Sequence, residues 1–110
     1  ACFNIAHSSL MVAAIQTNDL ELFSKSAQDK LHVLSRTKLI PAAQNILDMA
    51  KEHFALMATI SGSGASLIVF LEDDIQSPEI GSKAKELWLK EKLESKSLVT
   101  DVSNSGALIY

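Results

Sequence analysis

Residues 56–71, LMATISGSGASLIVFL, contain two short apolar runs on either side of a loop rich in glycine and serine. The runs at residues 56–60 and 67–71 consist of aliphatic, β-branched and aromatic side chains of the kind that suits strands. Gly62 and Gly64 lie in the loop at residues 61–66, where their backbone freedom suits a turn. The stretch therefore predicts two neighbouring strands joined by a glycine loop.

Two helices are predicted at the beginning of the chain. Residues 4–16 carry apolar or small side chains nearly all round at helical spacing, which predicts a deeply buried helix. The Thr-Asn-Asp sequence at residues 17–19 supplies a stop and a new N-cap. Residues 20–31 follow as a second helix, because their apolar side chains recur three and four residues apart.

Two further helices flank the strands. Residues 32–40 are expected to form a loop, after which Pro41 suits the first turn of a third helix. The apolar stripe of this helix is Ala43, Ile46, Leu47, Ala50 and Phe54. Ser77, Pro78 and Glu79 then mark the start of a fourth helix, with a hydroxyl cap, a first-turn proline and an acid at the positive helix end.

The end of the chain is predicted to return to β structure. After the fourth helix ends near Leu93, residues 98–103 and 107–110 are expected to pair as a hairpin around residues 104–106. The order is three helices, two strands, a helix and two strands. This pattern predicts one α+β domain, residues 1–110, with helices packed on one face of a small, mainly antiparallel four-stranded sheet.

Composition narrows the classes of protein to which the chain can belong. Its 110 residues are 47% hydrophobic and 21% charged, with a net charge of −3, which suits one folded domain. The excess of acids argues against nucleic-acid binding, and the longest wholly apolar run, residues 67–71, is far shorter than the ~20 residues that span a bilayer. The single cysteine, Cys2, excludes an internal disulfide and fits a reducing compartment. No secretory leader opens the sequence, so a cytoplasmic protein is expected.

The glycine loop at residues 61–66 is the first candidate site. Glycines let backbone N–H groups approach a ligand closely, and consecutive N–H groups can bind an anion. The loop is not of the Walker type, because no lysine follows Gly64 and no helical pattern begins there. A flexible connection between two strands is the alternative interpretation.

The second candidate site is a basic segment at residues 30–38. It holds Lys30, His32, Arg36 and Lys38 and no acid, in a chain that is acidic overall. Arginine is the side chain best shaped to bind a carboxylate or phosphate through two parallel hydrogen bonds. A solvated basic loop is the alternative. The histidines at positions 7, 32 and 53 lack metal-ligand spacing, so no metal site is predicted.

Four segments of the chain occur in an order typical of one enzyme family. They are residues 4–12, the Asp-Lys-Leu-His sequence at 29–32 followed by Arg36, the Leu-Ile-Pro sequence at 39–41, and the glycine loop. Together they resemble the C-terminal half of the homoserine kinases, in the family that also holds galactokinase, mevalonate kinase and phosphomevalonate kinase. The resemblance covers residues 4–71 well and the remainder in element order only.

The resemblance implies a two-lobed enzyme that transfers a phosphoryl group from ATP to the hydroxyl of L-homoserine, in threonine biosynthesis. The family's C-terminal lobe is ferredoxin-like, and its main nucleotide-binding loop lies in an N-terminal lobe that these residues lack. The start at Ala1 fits a piece of a longer protein. ATP and Mg²⁺ are accordingly expected in the full-length protein, with its N-terminal lobe as partner, and the isolated chain is expected to be inactive and to bind neither.

The resemblance also implies roles for particular residues. Arg36 would bind the substrate carboxylate, with His32 and Asn4 in support. The residues expected near the phosphates are Gly62, Ser63 and Gly64. Two departures from the family pattern are Ala65, where proline is usual, and residues 33–35, where proline and an aromatic are usual.

Two alternatives stay open from the sequence. One is a non-catalytic ferredoxin-like module that binds an amino acid or mediates assembly. The other is a kinase of the same family with a different alcohol substrate. An exposed lobe interface would favour self-association, so a homodimer is a further expectation for the chain.

Overall fold

A computed structural model describes residues 2–26, 37–62 and 65–109, apart from the side chains of residues 3 and 4. In these ranges the elements are α1 (Cys2–Thr17), α2 (Leu20–Ser26), α3 (Ala43–Glu52), β1 (Met57–Ser61), β2 (Ser66–Phe70) and α4 (Ser77–Lys90). The predicted α+β order of three helices, two strands and a helix is confirmed. Within the described ranges, no helix has both the length and the apolar character needed to cross a bilayer.

The two strands form an antiparallel hairpin, as the apolar runs predict. Ala58 and Ile60 of β1 are buried, and they lie opposite Val69 and Leu67 of β2. Because successive strand residues point to opposite faces, these four side chains share one face of the hairpin. That face meets the helices.

One cluster of buried side chains joins α3, α4 and β1. Its members are Ile46, Leu47, Met49 and Ala50 from α3, Ala58 from β1 and Ile80 from α4. Ile46 and Leu47 are each 2% exposed. Burial of an aliphatic side chain of this size is worth about 1.5–3 kcal/mol, so the cluster holds both helices against the hairpin.

Helix α2 reaches the other face of the hairpin. Phe70 alternates with Val69 along β2, so its ring lies on the face opposite the main core. There it meets Phe23 of α2 edge to face, with ring centroids 5.7 Å apart. The expectation of helices on one face therefore holds for α3 and α4, whereas α2 contacts the opposite side.

The predicted start of α2 is confirmed and that of α4 differs in detail. Asp19 accepts a hydrogen bond from the backbone N–H of Leu22 at 3.0 Å, as an N-cap does. At α4 the N-cap is Gln76, and Pro78 and Glu79 lie in the first turn as expected. The Ser77 hydroxyl instead donates to the carbonyl of Asp74 at 2.8 Å, so it is not the predicted cap.

The predicted apolar stripe of α3 is right except at its end. Ala43, Ile46, Leu47 and Ala50 are buried, but Phe54 is 80% exposed. The helix closes before Phe54, which takes a left-handed backbone with φ of 67°. Ala55 N–H donates to Ala50 C=O and Phe54 N–H to Lys51 C=O, the pair of bonds that ends many helices. This closure turns the Phe54 ring away from the core.

Helix α1 forms where it is predicted, but it is not deeply buried in the described structure. Ala14 is its buried residue, whereas Ile5, Val12 and Ile15 are 67%, 56% and 64% exposed. Helix α2 is the described element with which α1 packs most. The prediction of deep burial is therefore wrong for this part of the protein taken by itself.

The predicted closing hairpin is absent from the described residues that were to form it. Residues 93–109 contain neither helix nor strand, and Leu98 and Val102 are 89% and 78% exposed. Isolated strands are stable only when they pair and bury one face, and these residues do neither here. The described sheet has two strands, so the expected four-stranded sheet is not confirmed.

Candidate functional site

The glycine loop connects the two strands as the sequence predicts. Ser61 pairs with Ser66 at the end of the hairpin, and the loop extends beyond this pair. Gly62 has a left-handed φ of 63°, and the space that a side chain would occupy there is open. Ser63 and Gly64 lie outside the described residues. The loop thus exposes backbone at Gly62, which is what close approach to a ligand requires.

Ala65, at the position where the family usually has proline, has a backbone conformation that proline cannot adopt. Its φ is 56°, in the left-handed region. The ring of proline fixes φ near −65°, so proline cannot adopt this backbone. The alanine at the position where the family usually has proline is therefore consistent with the local geometry.

The basic segment is described only at its end. His32 and Arg36 lie outside the described residues, as does the side chain of Asn4, whose backbone is in the first turn of α1. Thr37 is buried, with 7% of its surface exposed, and Lys38 is exposed. The residue that follows Arg36 is therefore anchored in the fold, and its neighbour Lys38 reaches solvent.

The turn between this segment and α3 is held by Trp88 of α4. The indole N–H of Trp88 donates to the carbonyl of Pro41 at 2.9 Å, across 47 positions of sequence. Ala42, the N-cap of α3, has a left-handed φ of 60°. Trp88 follows Ile80, Ala84 and Leu87 at helical spacing, which predicts a core residue, and its ring does pack against the core cluster. Its role as a tether is missed, although a half-buried indole N–H usually has an acceptor.

Replacing Trp88 with phenylalanine should separate the tether from the packing. Trp88→Phe keeps an aromatic ring in the core but removes the hydrogen bond to Pro41, so we expect a loss of about 0.5–1.5 kcal/mol in the free energy of unfolding. Urea denaturation followed by circular dichroism measures it. Leu89→Ala, at a neighbouring side chain that is 60% exposed, is the control and should change stability by less than about 0.5 kcal/mol. Equal stability of Trp88→Phe and the unmodified chain would contradict the tether.

His53 connects the end of α3 to α4. Its Nδ1 lies 2.9 Å from the carbonyl oxygen of Met49, and its Nε2 lies 3.2 Å from Nζ of Lys83. A carbonyl oxygen only accepts, so Nδ1 donates to Met49, and Nε2 also lies 3.6 Å from Oε1 of Glu79. Glu79 completes the group, with Oε1 3.4 Å from the Lys83 Nζ. The arrangement is a structural link between the helices.

An open groove also runs between α3 and α4. Its lining includes Asn45, Asp48, Glu52, Lys83, Glu86 and Lys90. The lining carries charges of both signs, which favours no single class of ligand. In the part of the chain that the structure describes, no three His, Cys, Asp or Glu side chains are grouped so as to hold a metal ion.

A match to a protein family shows to which family the chain belongs. Residues 11–90 match the family described as GHMP kinases, C terminal. The chain belongs to this family. The resemblance that residues 4–71 carry is therefore confirmed, and the GHMP kinase C-terminal domain includes α2, α3, the hairpin, α4 and the second half of α1.

The relatives of this GHMP domain include many homoserine kinases. The chain is 31% identical over 110 residues to the homoserine kinase of Caldicellulosiruptor saccharolyticus, which covers 100% of this chain and 36% of that protein. It is 31% identical over 109 residues to that of Moorella thermoacetica, again 36% of its length. The crystal structure of homoserine kinase from Cytophaga hutchinsonii aligns with a TM-score of 0.73 at 28% identity, over 78% of this chain and 27% of that one.

The chain thus spans only a little more than a third of the length of the curated relatives that it matches. It contains both the glycine loop and the basic segment. The convergence of Arg36 with Gly62, Ser63 and Gly64 in one cleft stays a prediction, because three of these four residues lie outside the described ranges.

The conformation of Ala65 can be tested by restoring the residue usual in the GHMP family. In Ala65→Pro the proline ring cannot adopt the observed φ, so we expect the free energy of unfolding to fall by more than about 1 kcal/mol. Ala65→Gly, which tolerates a left-handed backbone, is the matched control and should be neutral or slightly stabilising. Thermal and urea denaturation measure both. A proline variant as stable as the unmodified chain would show that the loop takes another backbone conformation.

Proposed function

We propose that the protein containing this domain is an ATP-dependent homoserine kinase, and that this chain is its substrate-side lobe. The observation that supports the proposal most is the match of the whole chain, at 31% identity, to proteins named homoserine kinase. The Asp-Lys-Leu-His sequence at residues 29–32, Arg36 and the Leu-Ile-Pro sequence at 39–41 also favour this branch of the family.

The reaction is the transfer of the γ-phosphoryl group of ATP to the primary hydroxyl of homoserine, a step of threonine biosynthesis in the cytoplasm. Catalysis of phosphoryl transfer rests mainly on positioning and on stabilisation of charge. In this proposal Arg36 binds the substrate carboxylate through two hydrogen bonds, supported by His32 and Asn4. Gly62, Ser63 and Gly64 form the wall of the cleft near the phosphates.

The remaining parts of the site belong to an N-terminal lobe of the same protein. Magnesium bound there with ATP would neutralise phosphate charge. The fold proposal is a ferredoxin-like lobe whose four-stranded sheet is completed in the full-length protein. A homodimer of the full-length protein is compatible with these features.

The proposal is tested with the purified full-length protein and a panel of alcohols. We expect ATP-dependent phosphorylation of homoserine with a kcat/KM at least about 100-fold above that for galactose, mevalonate and phosphomevalonate. Galactose lacks the carboxylate of an amino acid, and mevalonate and phosphomevalonate lack its α-ammonium group, so a site built for an amino acid discriminates against all three. ADP release and mass spectrometry of the product measure it. The 110-residue chain alone should show no turnover.

The other outcomes identify the alternatives. Preferred phosphorylation of a different alcohol would place the protein in another branch of the same family. Binding of homoserine without phosphorylation, by the full-length protein with ATP present, would favour a non-catalytic amino-acid-binding module. ATP-dependent phosphorylation by the 110 residues alone would contradict the assignment of the nucleotide site to another lobe.

A further inference from the structure

The exposed face of α1 carries a regular row of side chains. Ile5, Ser8, Val12 and Ile15, here called the outer stripe, follow one another at spacings of three, four and three residues. This spacing places them on one side of a helix. Ser8 is exposed like the three aliphatic residues, which are each more than half exposed.

A neighbouring face of the same helix is already in use. Ala14 is 1% exposed, and His7 and Met11 are half-buried at spacings of four and three residues from one another. Helix α1 packs on α2. Helix α1 therefore has two apolar faces, one that is covered in the described structure and one that is not.

The outer stripe does not have the composition of a surface that faces solvent. From Cys2 to Thr17 the helix contains no Asp, Glu, Lys or Arg. By contrast α4, which is also partly exposed, carries Glu79, Lys83, Lys85, Glu86 and Lys90. Single exposed aliphatic side chains are common, but a helix that is apolar on all sides is normally buried.

We infer that the outer stripe of α1 is a packing surface for the N-terminal part of the same polypeptide, an inference that rests on the proposed function. The family match begins at residue 11, in the middle of α1, whereas homoserine kinases align through all of α1. The helix therefore extends beyond the C-terminal domain as the family defines it. About two-thirds of each of these relatives lies outside the match.

The size of the outer stripe favours a tethered partner over a second copy of the chain. Three aliphatic side chains offer on the order of 300 Å² of apolar surface. A stable complex between separate molecules buries about 800 Å² on each partner. A lobe on the same polypeptide loses less freedom on packing, so a smaller contact suffices. The three- and four-residue spacing with a small residue, Ser8, in the row suits a helix packed against it.

The inference is tested by thiol labelling of the full-length protein. In a Cys2→Ser background, Ser8→Cys places a thiol on the outer stripe with almost no change in size. Ser82→Cys, at an exposed position of α4, is the matched control. We expect Ser8→Cys to react with a maleimide at least about tenfold more slowly than Ser82→Cys in the native protein, and equally fast in denaturant. Ile15→Cys should be protected in the same way.

Each outcome has a distinct meaning. Equal labelling rates at positions 8 and 82 in the folded full-length protein would overturn the inference. Protection that disappears on dilution, together with a change from dimer to monomer in sedimentation, would overturn it in favour of a second copy. Homoserine phosphorylation is measured on the same samples. Slow labelling without this activity would support the packing surface and contradict the proposed function. Fast labelling with full activity would support the proposed function and contradict the packing surface.

Discussion

Replacing Arg36 with alanine in the full-length protein should lower kcat/KM for homoserine by roughly 5- to 150-fold. A guanidinium that holds a carboxylate through two hydrogen bonds contributes about 1–3 kcal/mol, and each 1.4 kcal/mol corresponds to a factor of about ten. Arg36 directly precedes Thr37, which is buried and anchored. Steady-state kinetics at varied homoserine and saturating ATP measure the loss.

Two comparisons show whether the loss arises at the carboxylate. Lys38→Ala removes an exposed positive charge two residues away and should change kcat/KM by less than about twofold, because exposed charges are screened by solvent. With 3-aminopropan-1-ol, which lacks only the carboxylate of homoserine, Arg36→Ala should cost little further activity. An unchanged kcat/KM for homoserine, or an equal loss on both substrates, would remove Arg36 from the substrate site.

Much of the fold follows from local patterns in the sequence. The β-branched and aliphatic runs around the glycine loop predict the hairpin, which forms within one residue of the expected bounds. Asp19 predicts the start of α2, and its carboxylate makes the expected cap. These features depend on neighbouring residues only, so the sequence carries them directly.

The errors arise where structure depends on residues that are distant or outside this chain. Phe54 continues the helical spacing of α3, but the helix ends two residues earlier with a phenylalanine in a left-handed backbone that glycine usually occupies. The deep burial of α1 and the closing hairpin at residues 98–110 both require a surface to pack against. No local pattern says whether that surface lies within these 110 residues.

In the candidate site, too, the local features can be predicted from the sequence and the long-range pairings cannot. The glycine loop is recognised from its glycine and serine content, and the basic segment from its lack of acids in a chain that is acidic overall. The family match supports the interpretation of both. The tether from Trp88 to Pro41 spans 47 positions, and the link from Lys83 to His53 spans 30. Pairings at this distance are set by the packing of α3 on α4, so helical periodicity cannot reveal them.

Truncation of Leu47 should have the largest effect on stability of any change considered for this chain. Leu47 is 2% exposed within the cluster that joins α3, α4 and β1. Leu47→Ala removes buried methyl groups and leaves a cavity, so we expect the free energy of unfolding to fall by about 2–5 kcal/mol. Urea denaturation of the chain measures this through the fluorescence of Trp88, the single tryptophan, whose ring packs against the same cluster.

Phe54→Ala is the decisive comparison, because the sequence pattern places both residues on one apolar stripe. If that pattern decided burial, loss of the larger side chain would cost about 3–5 kcal/mol. Since Phe54 is 80% exposed and lies beyond the end of the helix, we expect less than about 0.5 kcal/mol. Phe54→Gly should stabilise the chain slightly by relieving the left-handed backbone. A loss at Phe54 equal to that at Leu47 would show that its ring is packed in the core and that α3 extends further than the structure has it.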